Sequence, residues 1–592
     1  MGLIVQKFGG TSVADCEKIL AAARKAIRAQ QDGDHVVMVV SAMGKNTDML
    51  VDLAQQVSER PPAREMDMLL STGEQVSVAL MAMAVDALGH RAVSLTGAQI
   101  GIRTDSTHTK ARILSISTDR VRDLLNEGNI VIAAGFQGID ENFDITTSGR
   151  GGSDTTAVAL AAVLSADTCE IFTDVDGVYT TDPRVLPEAR RVSQISYDEM
   201  LELASLGAGV MHNRSIEFAK KFGVPIHVRS SMSDIPGSMI LDGTESDDQP
   251  VCGAAITRDE ARITLIGLPD VPGTSLVVFD AIAEQNVTVD MIVQNVGENS
   301  EADISFTVPR NELNVTLIAV NKVLPSLGEN VRLTHSDDVS KVSVVGLGMA
   351  RQHGVANRMF KALSDAMINI QMITTSEIKI SVLVERAQAM DALRAVHRAF
   401  SLEKVTCDVV PTKARQPRTE LNPADVATRL QKMEDLVIND VTMDDSQGRI
   451  TIVGVRDEPG VAAHVFNQVA EAGIFVDMIV QSYDGQGGQA SLSFTVPRNS
   501  FDVAEATSRE LAREFGCQAV TSNPCVAKLS VSGIGLRSHT GVAIRMFRCL
   551  AEIGVNVVMI NTSEIRVNVV VDGDEGERAL DALQSAFADA LG

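Results

Sequence analysis

The segment Lys7-Phe-Gly-Gly-Thr-Ser12 places a lysine and two glycines directly after the first apolar run of the chain. Gly9 and Gly10 allow a tight turn and a close approach of the backbone to a ligand. Ser12 with Asp15 fits a capping box, which would begin the next helix. Free amides at a helix start beside a lysine form an anion site suited to ATP phosphates. A plain turn with a lysine at an exposed strand end is the alternative, and no Walker motif occurs in the sequence.

A second glycine-rich turn, Gly149-Arg-Gly-Gly-Ser-Asp154, precedes a predicted helix over residues 155–164. Three glycines around an arginine indicate backbone that lies close to a ligand. Arg150 carries the forked guanidinium that binds a carboxylate through two parallel hydrogen bonds. Asp154 is either part of the same site or only the cap of the helix that follows.

The segment Ser71-Thr-Gly-Glu74 precedes an apolar stretch and allows two interpretations. A serine followed three residues later by a glutamate is a capping box, which predicts a helix over residues 75–88. The alternative is that Glu74 receives the ammonium group of a substrate. The spacing by itself favours the helix cap.

Polar segments also follow two predicted strands, at the strand ends where ligands lie in α/β sheets. Residues 41–47 follow the strand 36–40, and residues 172–177 end a strand further along the chain. Carboxylates in residues 172–177 and 179–184 would suit a ribose or metal-bound phosphates. Asp-Gly and Asp-Pro-Arg are, however, also common turn sequences.

The front of the chain, to about residue 235, alternates apolar strands with helical stretches. This alternation predicts an α/β layer fold in which helices cover both faces of a mainly parallel sheet. The predicted strands include 36–40, 130–134 and 170–175, and the predicted helices include 16–28, 75–88 and 155–164.

The back of the chain is an internal duplication. The segment Asp290-Met-Ile-Val-Gln294 recurs as Asp477-Met-Ile-Val-Gln481, and Thr375-Ser-Glu377 recurs at Thr562 with the same offset. A shorter period, from Gly273 to Gly354, lies inside each copy. Each unit has the pattern of strand, turn, helix, strand and strand. The sequence therefore predicts four βαββαβ units arranged as a duplicated pair.

Composition limits the classes of protein that the chain can represent. The 592 residues are enough for several domains, and 45% hydrophobic residues exclude a mostly disordered chain. A net charge of −25 and the absence of Trp argue against a nucleic-acid partner. Seven cysteines without a C-x-x-C pair suit a reducing cytoplasm and argue against a structural zinc site. We expect no signal peptide and no apolar run of membrane-spanning length.

Taken together, the motifs of the front half resemble aspartate kinase, and the back half resembles the ACT regulatory domains of that family, in four copies rather than two. The resemblance covers nearly the whole chain. It rests on KFGGTSVAD (7–15), VVSAMG (39–44), STGEQ (71–75), GRGGSDTTA (149–157) and TDVDGVYTTDPR (173–184). It implies a three-layer αβα amino-acid-kinase domain over 1–245, ACT units over 258–337, 338–412, 439–524 and 525–592, and a linker with a helix over 413–438.

The resemblance implies transfer of phosphate from ATP to the side chain of L-aspartate, giving 4-phospho-L-aspartate at the start of lysine, threonine and methionine synthesis. Mg²⁺ would travel on the ATP phosphates, with no metal ion held by the protein itself. The implied catalytic residues are Lys7 and Asp154, and the implied aspartate ligands are Ser41, Thr47, Glu74 and Arg150. The implied nucleotide contacts are Lys7, Phe8, Gly9, Gly10, Thr173, Asp174, Tyr179, Asp182, Arg184, Gly209 and Val210.

One segment departs from the family pattern. The family has G-A-K-V-L-H-P-R near the end of the kinase domain, whereas this chain has Gly207-Ala-Gly-Val-Met-His-Asn-Arg214. Gly209 replaces a lysine close to the nucleotide, and Asn213 replaces a proline. A non-catalytic amino-acid sensor of the same fold is therefore the alternative function, although the presence of Lys7, Glu74, Arg150 and Asp154 together favours the enzyme.

The back half predicts sites for end-product amino acids, with lysine, threonine or both as effectors. Helix starts at two Asp-x-Pro-Gly turns offer free amides to an α-carboxylate. Pairs spaced by four positions on the next strand would share one face. The residues concerned are Asp270, Gly273, Asp290 and Gln294 in the first unit, and Asp457, Gly460, Asp477 and Gln481 in the third. The alternative is that these residues only shape turns and caps. We expect at least a homodimer, because such units leave open strand edges.

Overall fold

The computed structural model describes residues 2–149, 151–207, 210–243, 249–296, 301–352, 354–404, 437–483, 488–534, 536 and 541–591. Arg150, Gly209 and most of the predicted linker over 413–438 lie outside the described residues.

The N-terminal domain is built on an eight-stranded sheet with the order β12-β14-β13-β9-β1-β2-β6-β3. Its strands and those beside it are β1 Leu3–Phe8, β2 His35–Val40, β3 Ala92–Leu95, β4 Ile102–Thr104, β5 Ile113–Ile116, β6 Ile130–Ala134, β7 Gln137–Ile139, β8 Ile145–Thr147, β9 Thr168–Thr173, β10 Val178–Tyr179, β11 Arg191–Val192, β12 Gln194–Ser196, β13 Ile226–Ser230 and β14 Ser238–Leu241. Its helices are α1 Cys16–Gln31, α2 Asn46–Val57, α3 Ala63–Ala87, α4 Gly97–Ile100, α5 Asp119–Asn126, α6 Gly152–Leu164, α7 Tyr197–Ser205 and α8 Asn213–Phe222.

The centre of this sheet is parallel and is covered on both faces, as the sequence predicts. Strands β13, β9, β1, β2, β6 and β3 run parallel to one another, whereas β14 runs antiparallel to β13. The nearly continuous apolar run of β2 is explained by this burial, because both faces of the strand meet helices. Helices α1 and α3 cover one face, and α6 and α8 cover the other. The carboxyl ends of β1, β2 and β9 therefore meet at one edge of the sheet.

One helix has the length and apolarity of a membrane span, although the sequence predicts no such run. Helix α3 has a mean hydropathy of 1.4 over its most apolar window, and half of that window is buried inside the protein. The buried residues of α3 include the polar side chains of Asp67, Ser71, Glu74 and Ser77. Its buried apolar residues Val78, Met81, Ala84 and Val85 pack in the core of the domain.

The C-terminal half is one twelve-stranded sheet with helices packed on it, in the order β16-β17-β15-β18-β20-β19-β22-β23-β21-β24-β26-β25. Its elements are β15 Gly253–Pro269, α9 Thr274–Ala283, β16 Asp290–Val296, β17 Glu301–Pro309, α10 Leu313–Leu327, β18 Arg332–Val345, α11 Val355–Asp365, β19 Met372–Thr375, β20 Lys379–Glu385, α12 Ala389–Ala399, β21 Val437–Arg456, α13 Val461–Glu471, β22 Ile479–Tyr483, β23 Gln489–Pro497, α14 Phe501–Phe515, β24 Ala519–Ile534, α15 Gly541–Glu552, β25 Met559–Thr562, β26 Arg566–Asp572 and α16 Gly576–Ala586.

The long strands β15 and β21 each serve two units. The start of β15, residues 253–257, pairs with residues 341–345 of β18, whereas its later part pairs with β17 of the first unit. The strand that precedes the first unit therefore completes the sheet of the second. Strand β21 does the same for the fourth unit through its pairing with β24. The predicted limits at 258 and 439 consequently fall inside continuous strands.

The four units associate in two equivalent pairs. Strand β19 of the second unit pairs with β22 of the third. Gln481 Nε2 of the third unit donates to the carbonyl of Ile370 at 2.8 Å, and Gln294 Nε2 of the first unit donates to that of Val557 in the fourth at 2.6 Å. The two donors are equivalent positions of the duplication, and so are the two acceptors. The duplicated halves therefore face each other with a two-fold relation, as identical subunits of a dimer do.

Candidate active site

Lys7 and Asp154 form an ion pair at the carboxyl edge of the N-terminal sheet. Lys7 lies at the end of β1, and its Nζ is 2.5 Å from Oδ1 of Asp154, in the first turn of α6. The two side chains are only 12% and 13% exposed. The expectation of an exposed lysine is therefore wrong, because α6 covers the end of the strand. A cation held this way is set to meet negative charge entering from the open edge.

The Gly9-Gly10 turn brings the next strand end close to Lys7. The amide of Gly44 donates to the carbonyl of Gly10 at 3.0 Å. A methyl group on Gly10 would lie 2.8 Å from the carbonyl oxygen of Ala42, so only glycine fits here. Ser41 and Thr47, on the segment that follows β2, are half-buried and lie on this side of the turn.

The predicted capping box of Ser12 and Asp15 is wrong. Ser12 lies in a short 3₁₀ helix over Gly10–Val13, and its hydroxyl donates to the carbonyl of Phe172. Asp15 alone caps α1, since its carboxylate accepts from the amide of Lys18 at 2.9 Å. Ser12 therefore ties the glycine turn to the end of β9.

Glu74 lies in the middle of α3, so the interpretation of Ser71–Glu74 as a helix start is wrong. The side chain is 4% exposed, and its Oε1 accepts from the amide of Ala42 at 3.0 Å. Its Oε2 is buried without a hydrogen-bond partner among the described residues. Burial raises the pKa of Glu74 to about 7, against the weaker opposing effect of the Ala42 amide. A cationic ligand beside Oε2 would stabilise the ionised form.

The Gly149–Gly152 turn has the backbone that its glycines predict. Gly149 and Gly151 both have φ of +74°, and Gly151 is the N-cap of α6. Asp154 is thus inside the helix, and its alternative as a cap is wrong. A methyl group on Gly151 would lie 2.4 Å from His212, the N-cap residue of α8.

The predicted nucleotide residues after β9 lie at the same edge but interact mostly with one another. The Thr173 hydroxyl donates to Asp174 at 3.1 Å, and the Tyr179 phenol donates to Asp176 at 2.6 Å. Burial and Asp176 together raise the pKa of Tyr179 to about 12. Arg184 forms a forked ion pair with Asp182, at 2.8 Å for the closest N–O contact, which lowers the pKa of that carboxyl group. Phe8 is stacked on Phe172 with 4.6 Å between ring centroids, and Val210 is half-buried.

Asp67 is a candidate residue that the sequence did not indicate. It is fully buried on α3 and accepts hydrogen bonds from His108 Nδ1 at 2.8 Å, from the amide of Thr109 at 3.0 Å and from the hydroxyl of Thr147 at 2.5 Å. Thr147 ends the strand before the Gly149 turn, so Asp67 fixes the base of that turn. The sequence feature that could have indicated Asp67 is its position seven residues before Glu74, which places both side chains on the same face of one helix, two turns apart.

The predicted effector residues lie at the contacts between units. Asp290 and Asp477 form ion pairs with Lys341 and Lys528, respectively. Gly273 and Gly460 are the N-caps of α9 and α13, with φ of +94° and +95°. The carboxylate of Asp270 accepts from the side-chain amide of Asn556 at 2.7 Å. In the same way, the carboxylate of Asp457 accepts from the side-chain amide of Asn369 at 2.8 Å.

The prediction that Asp290 and Gln294 share a strand face is wrong. Asp290 lies opposite Thr307 but Gln294 opposite Ile304, so β16 contains an extra residue between them. Met291 has φ of +43° at this bulge. A bulge of one residue turns the following side chains to the other face of the strand.

Cavities lie between the paired units. One of about 90 Å³ is between the first and fourth units and includes Asp290 and Glu564 in its wall. Its counterpart of about 330 Å³, between the second and third units, includes Asp477 and Glu377. A small third cavity of about 20 Å³ lies at the Asp457–Gly460 turn and includes Gln481. Asp477 and Gln481 thus line different cavities.

Comparison with known proteins agrees with this architecture. The model of the Amino acid kinase family matches residues 2–230, and that of the ACT domain matches residues 263–324, 342–400, 450–514 and 529–587. An aspartate kinase of Stutzerimonas stutzeri is 51% identical over 405 residues, which are 68% of this chain and 98% of the relative.

Solved structures extend the similarity. An aspartate kinase from Synechocystis has 41% identity and a TM-score of 0.52, with 100% of this chain and 98% of that chain covered. Aspartokinase III of E. coli, solved with aspartate and ADP, has 26% identity and a TM-score of 0.55, with 67% of this chain and 99% of that chain covered. Its structure with lysine and aspartate has 26% identity, the same coverage and a TM-score of 0.54. The predicted fold is confirmed, and the chain belongs to the aspartate kinase family.

Proposed function

We propose that the carboxyl edge of the N-terminal sheet transfers the γ-phosphoryl group of ATP to the side-chain carboxylate of L-aspartate. The product is 4-phospho-L-aspartate, the first intermediate on the route to lysine, threonine and methionine. The observation that carries this proposal is that a buried Lys7–Asp154 pair and a buried glutamate with an unpartnered oxygen share one edge of the sheet, since Glu74 binds the amide of Ala42 and Ala42 packs against Gly10. The related E. coli enzyme solved with aspartate and ADP supports the same pair of substrates.

In the proposed reaction, an oxygen of the aspartate side chain attacks the γ-phosphorus while the bond to the ADP oxygen breaks. The nucleophile is already ionised at neutral pH, so no histidine or cysteine is required. Lys7 neutralises charge on the transferring phosphoryl group, and Asp154 holds its ammonium in place. The amide of Gly10 approaches the phosphates from the turn, whereas the amide of Gly9 donates to the carbonyl of Phe172 at 3.3 Å, so the expectation of two free amides is wrong for Gly9.

Aspartate is held by opposite charges at its two ends. Glu74 Oε2 receives the substrate ammonium, which makes up for the missing partner of that buried oxygen. Arg150 binds the α-carboxylate through two hydrogen bonds. Ser41 and Thr47 complete the contacts from the segment after β2.

The nucleotide occupies the side of the site that follows β9. We assign its contacts to Phe8, Thr173, Asp174, Tyr179, Asp182, Arg184 and the segment with Gly209 and Val210. Carboxylate oxygen is the ligand type that Mg²⁺ accepts, and Asp174 offers it at this edge. Bound on the ATP phosphates, Mg²⁺ would neutralise charge that builds up during transfer.

A hydroxamate assay tests this activity against the alternative of a non-catalytic sensor. Hydroxylamine traps the acyl phosphate, so product should form only when both ATP and L-aspartate are present. Asparagine in place of aspartate is the matched control, because it lacks the attacking carboxylate. If amino acids bind but no hydroxamate forms, the sensor is the correct function.

We further propose that lysine, threonine or both inhibit the enzyme by binding between the ACT units. Support comes from the cavities at both unit contacts and from the E. coli relative solved with lysine. Asp270, Gly273, Asp290 and Gln294, with their counterparts in the third unit, are the proposed effector residues. Initial rates with each amino acid alone and with both together test this regulation. We also propose a cytoplasmic homodimer or larger homo-oligomer.

A further inference from the structure

Two loops of identical sequence connect the regulatory cavities to the kinase domain. Thr375-Ser-Glu377 begins with the last residue of β19 and lines the cavity of the second and third units. Thr562-Ser-Glu564 begins with the last residue of β25 and lines the cavity of the first and fourth units. The loops occupy equivalent positions of the duplication and are related by the internal two-fold. The kinase domain has no such duplication, so it cannot contact both loops in the same way.

Glu202, a fully buried residue of α7, contacts both repeats. Its Oε1 accepts from the main-chain amide of Glu564 at 3.1 Å. Its Oε2 lies 2.8 Å from Nζ of Lys379, at the start of β20 directly after the Thr375 loop. A buried carboxylate depends on such partners for its stability, so a shift of either loop must be felt at α7.

The two glutamates of the loops have different partners. Glu564 Oε2 lies 3.5 Å from Nδ2 of Asn213, the first residue of α8. Its counterpart Glu377 instead forms an ion pair with Arg566, inside the regulatory half. Among the described residues, therefore, the glutamate side chain of the Thr562 loop contacts α8, and that of the Thr375 loop does not.

Asn213 is one residue from a contact with the catalytic turn. The side chain of its neighbour His212 lies against Gly151, which leaves no space for a methyl group there. Gly151 caps α6, and Asp154 in the first turn of α6 pairs with Lys7. A continuous set of contacts thus joins the cavity wall to the catalytic lysine.

We propose that the kinase domain responds to the cavity between the first and fourth units through Glu564, with Glu202 and Asn213 as the receiving residues. The cavity between the second and third units reaches α7 through the Lys379–Glu202 ion pair, but its loop glutamate, Glu377, pairs with Arg566 instead of with α8. Asn213 is then a coupling residue between the regulatory half and the turn before α6. This inference rests on the proposed inhibition by end-product amino acids.

Three variants of the full-length chain test the Glu564–Asn213 contact. Asn213→Ala removes the donor, and Asn213→Asp places a like charge against Glu564. The double variant Asn213→Asp with Glu564→Gln restores a hydrogen bond in the reverse direction. Glu377→Gln is the matched control, because it changes the two-fold counterpart of Glu564. Inhibition by lysine and threonine is measured relative to the uninhibited rate of each variant, and binding by calorimetry.

Both single changes at Asn213 should raise the half-inhibitory concentration by about fivefold or more while the binding constant changes by less than about twofold. The double variant should recover inhibition, and Glu377→Gln should change it by less than about twofold. Unchanged inhibition in both single variants, or parallel loss of binding and inhibition, would overturn the coupling role. Absence of any inhibition or binding in the unaltered chain would instead overturn the proposed regulation, and this inference with it.

Discussion

At the residue scale, the site combines one satisfied charge pair with one unsatisfied carboxylate. Lys7 and Asp154 neutralise each other before any ligand enters, whereas Glu74 is buried with one oxygen unpartnered. An enzyme that binds a zwitterionic substrate gains from this arrangement, because the substrate ammonium supplies the missing partner. We therefore expect a change at Lys7 to affect kcat and a change at Glu74 to affect the KM for aspartate.

Lys7→Ala should lower kcat by about 10²–10³-fold, because the lysine meets charge that develops in the transition state. The rate is measured with both substrates saturating, and a melting curve confirms that the variant is folded. Lys18→Ala is the control, since Lys18 pairs with Asp15 near the surface. An unchanged kcat would remove Lys7 from the mechanism.

Glu74 predicts a pH dependence of aspartate binding. Its pKa is raised to about 7 by burial, so the ionised form that receives an ammonium is lost as pH falls below 7. The KM for aspartate should therefore rise about tenfold per pH unit in the acid range, with a smaller change in the KM for ATP.

Glu74→Gln should raise the KM for aspartate by about 10–100-fold at pH 8 and abolish its dependence on Glu74 ionisation. Initial rates between pH 5.5 and 8.5 measure both effects. If the variant kept the pH profile of the unaltered chain, a different group would be responsible.

At the scale of elements, local sequence patterns predicted the buried strands well, but missed the start of one helix and a bulge in one strand. The continuous apolar run of β2 predicts a buried parallel strand because its signal is local. The start of α3 could not be found, because Ser71 to Glu74 imitates a helix cap inside a longer helix. The bulge at Met291 could not be predicted from the spacing of residues, and it places Asp290 and Gln294 on opposite faces of the strand. Asp67 was missed for the same reason as the start of α3.

The glycine that caps α6, Gly151, should be difficult to replace. Gly151→Ala should destabilise the protein by about 1–2 kcal/mol through its left-handed backbone, and further through the clash with His212. Gly223→Ala is the control, because Gly223 has φ of +59° with no atom near the added methyl group. Melting temperatures of both variants separate backbone strain from the clash. Equal losses would show that His212 moves aside freely.

At the scale of the whole molecule, the repeats predicted four units but not their arrangement. The constant offset between the copies identifies which segments are equivalent, yet pairing of β19 with β22 is a contact between distant parts of the chain. No local pattern specifies that residues 253–257 complete the second unit. Strand partners of this kind depend on the assembled sheet rather than on nearby residues.

Removing residues 405–592 should convert the regulatory half into a dimerising module. The edge of β19 loses its partner β22, and the first unit loses the carbonyl of Val557. Ile370 of a second copy is the equivalent acceptor, so two shortened chains can restore both contacts. Sedimentation velocity, with the intact chain compared at equal concentrations, measures the new association. A folded shortened chain that shows no association beyond that of the intact chain would contradict the prediction.

The covalent duplication of the ACT units has a consequence for how this enzyme can diversify. In a symmetric dimer of identical subunits, any substitution alters both regulatory cavities together. In this chain the two cavities are encoded by separate segments, and they already differ, at about 90 and 330 Å³. Under the proposed binding of amino acids in these cavities, a mutation can therefore change the ligand preference of one cavity while the other keeps its own. A single polypeptide is thereby able to acquire sensitivity to two metabolites independently.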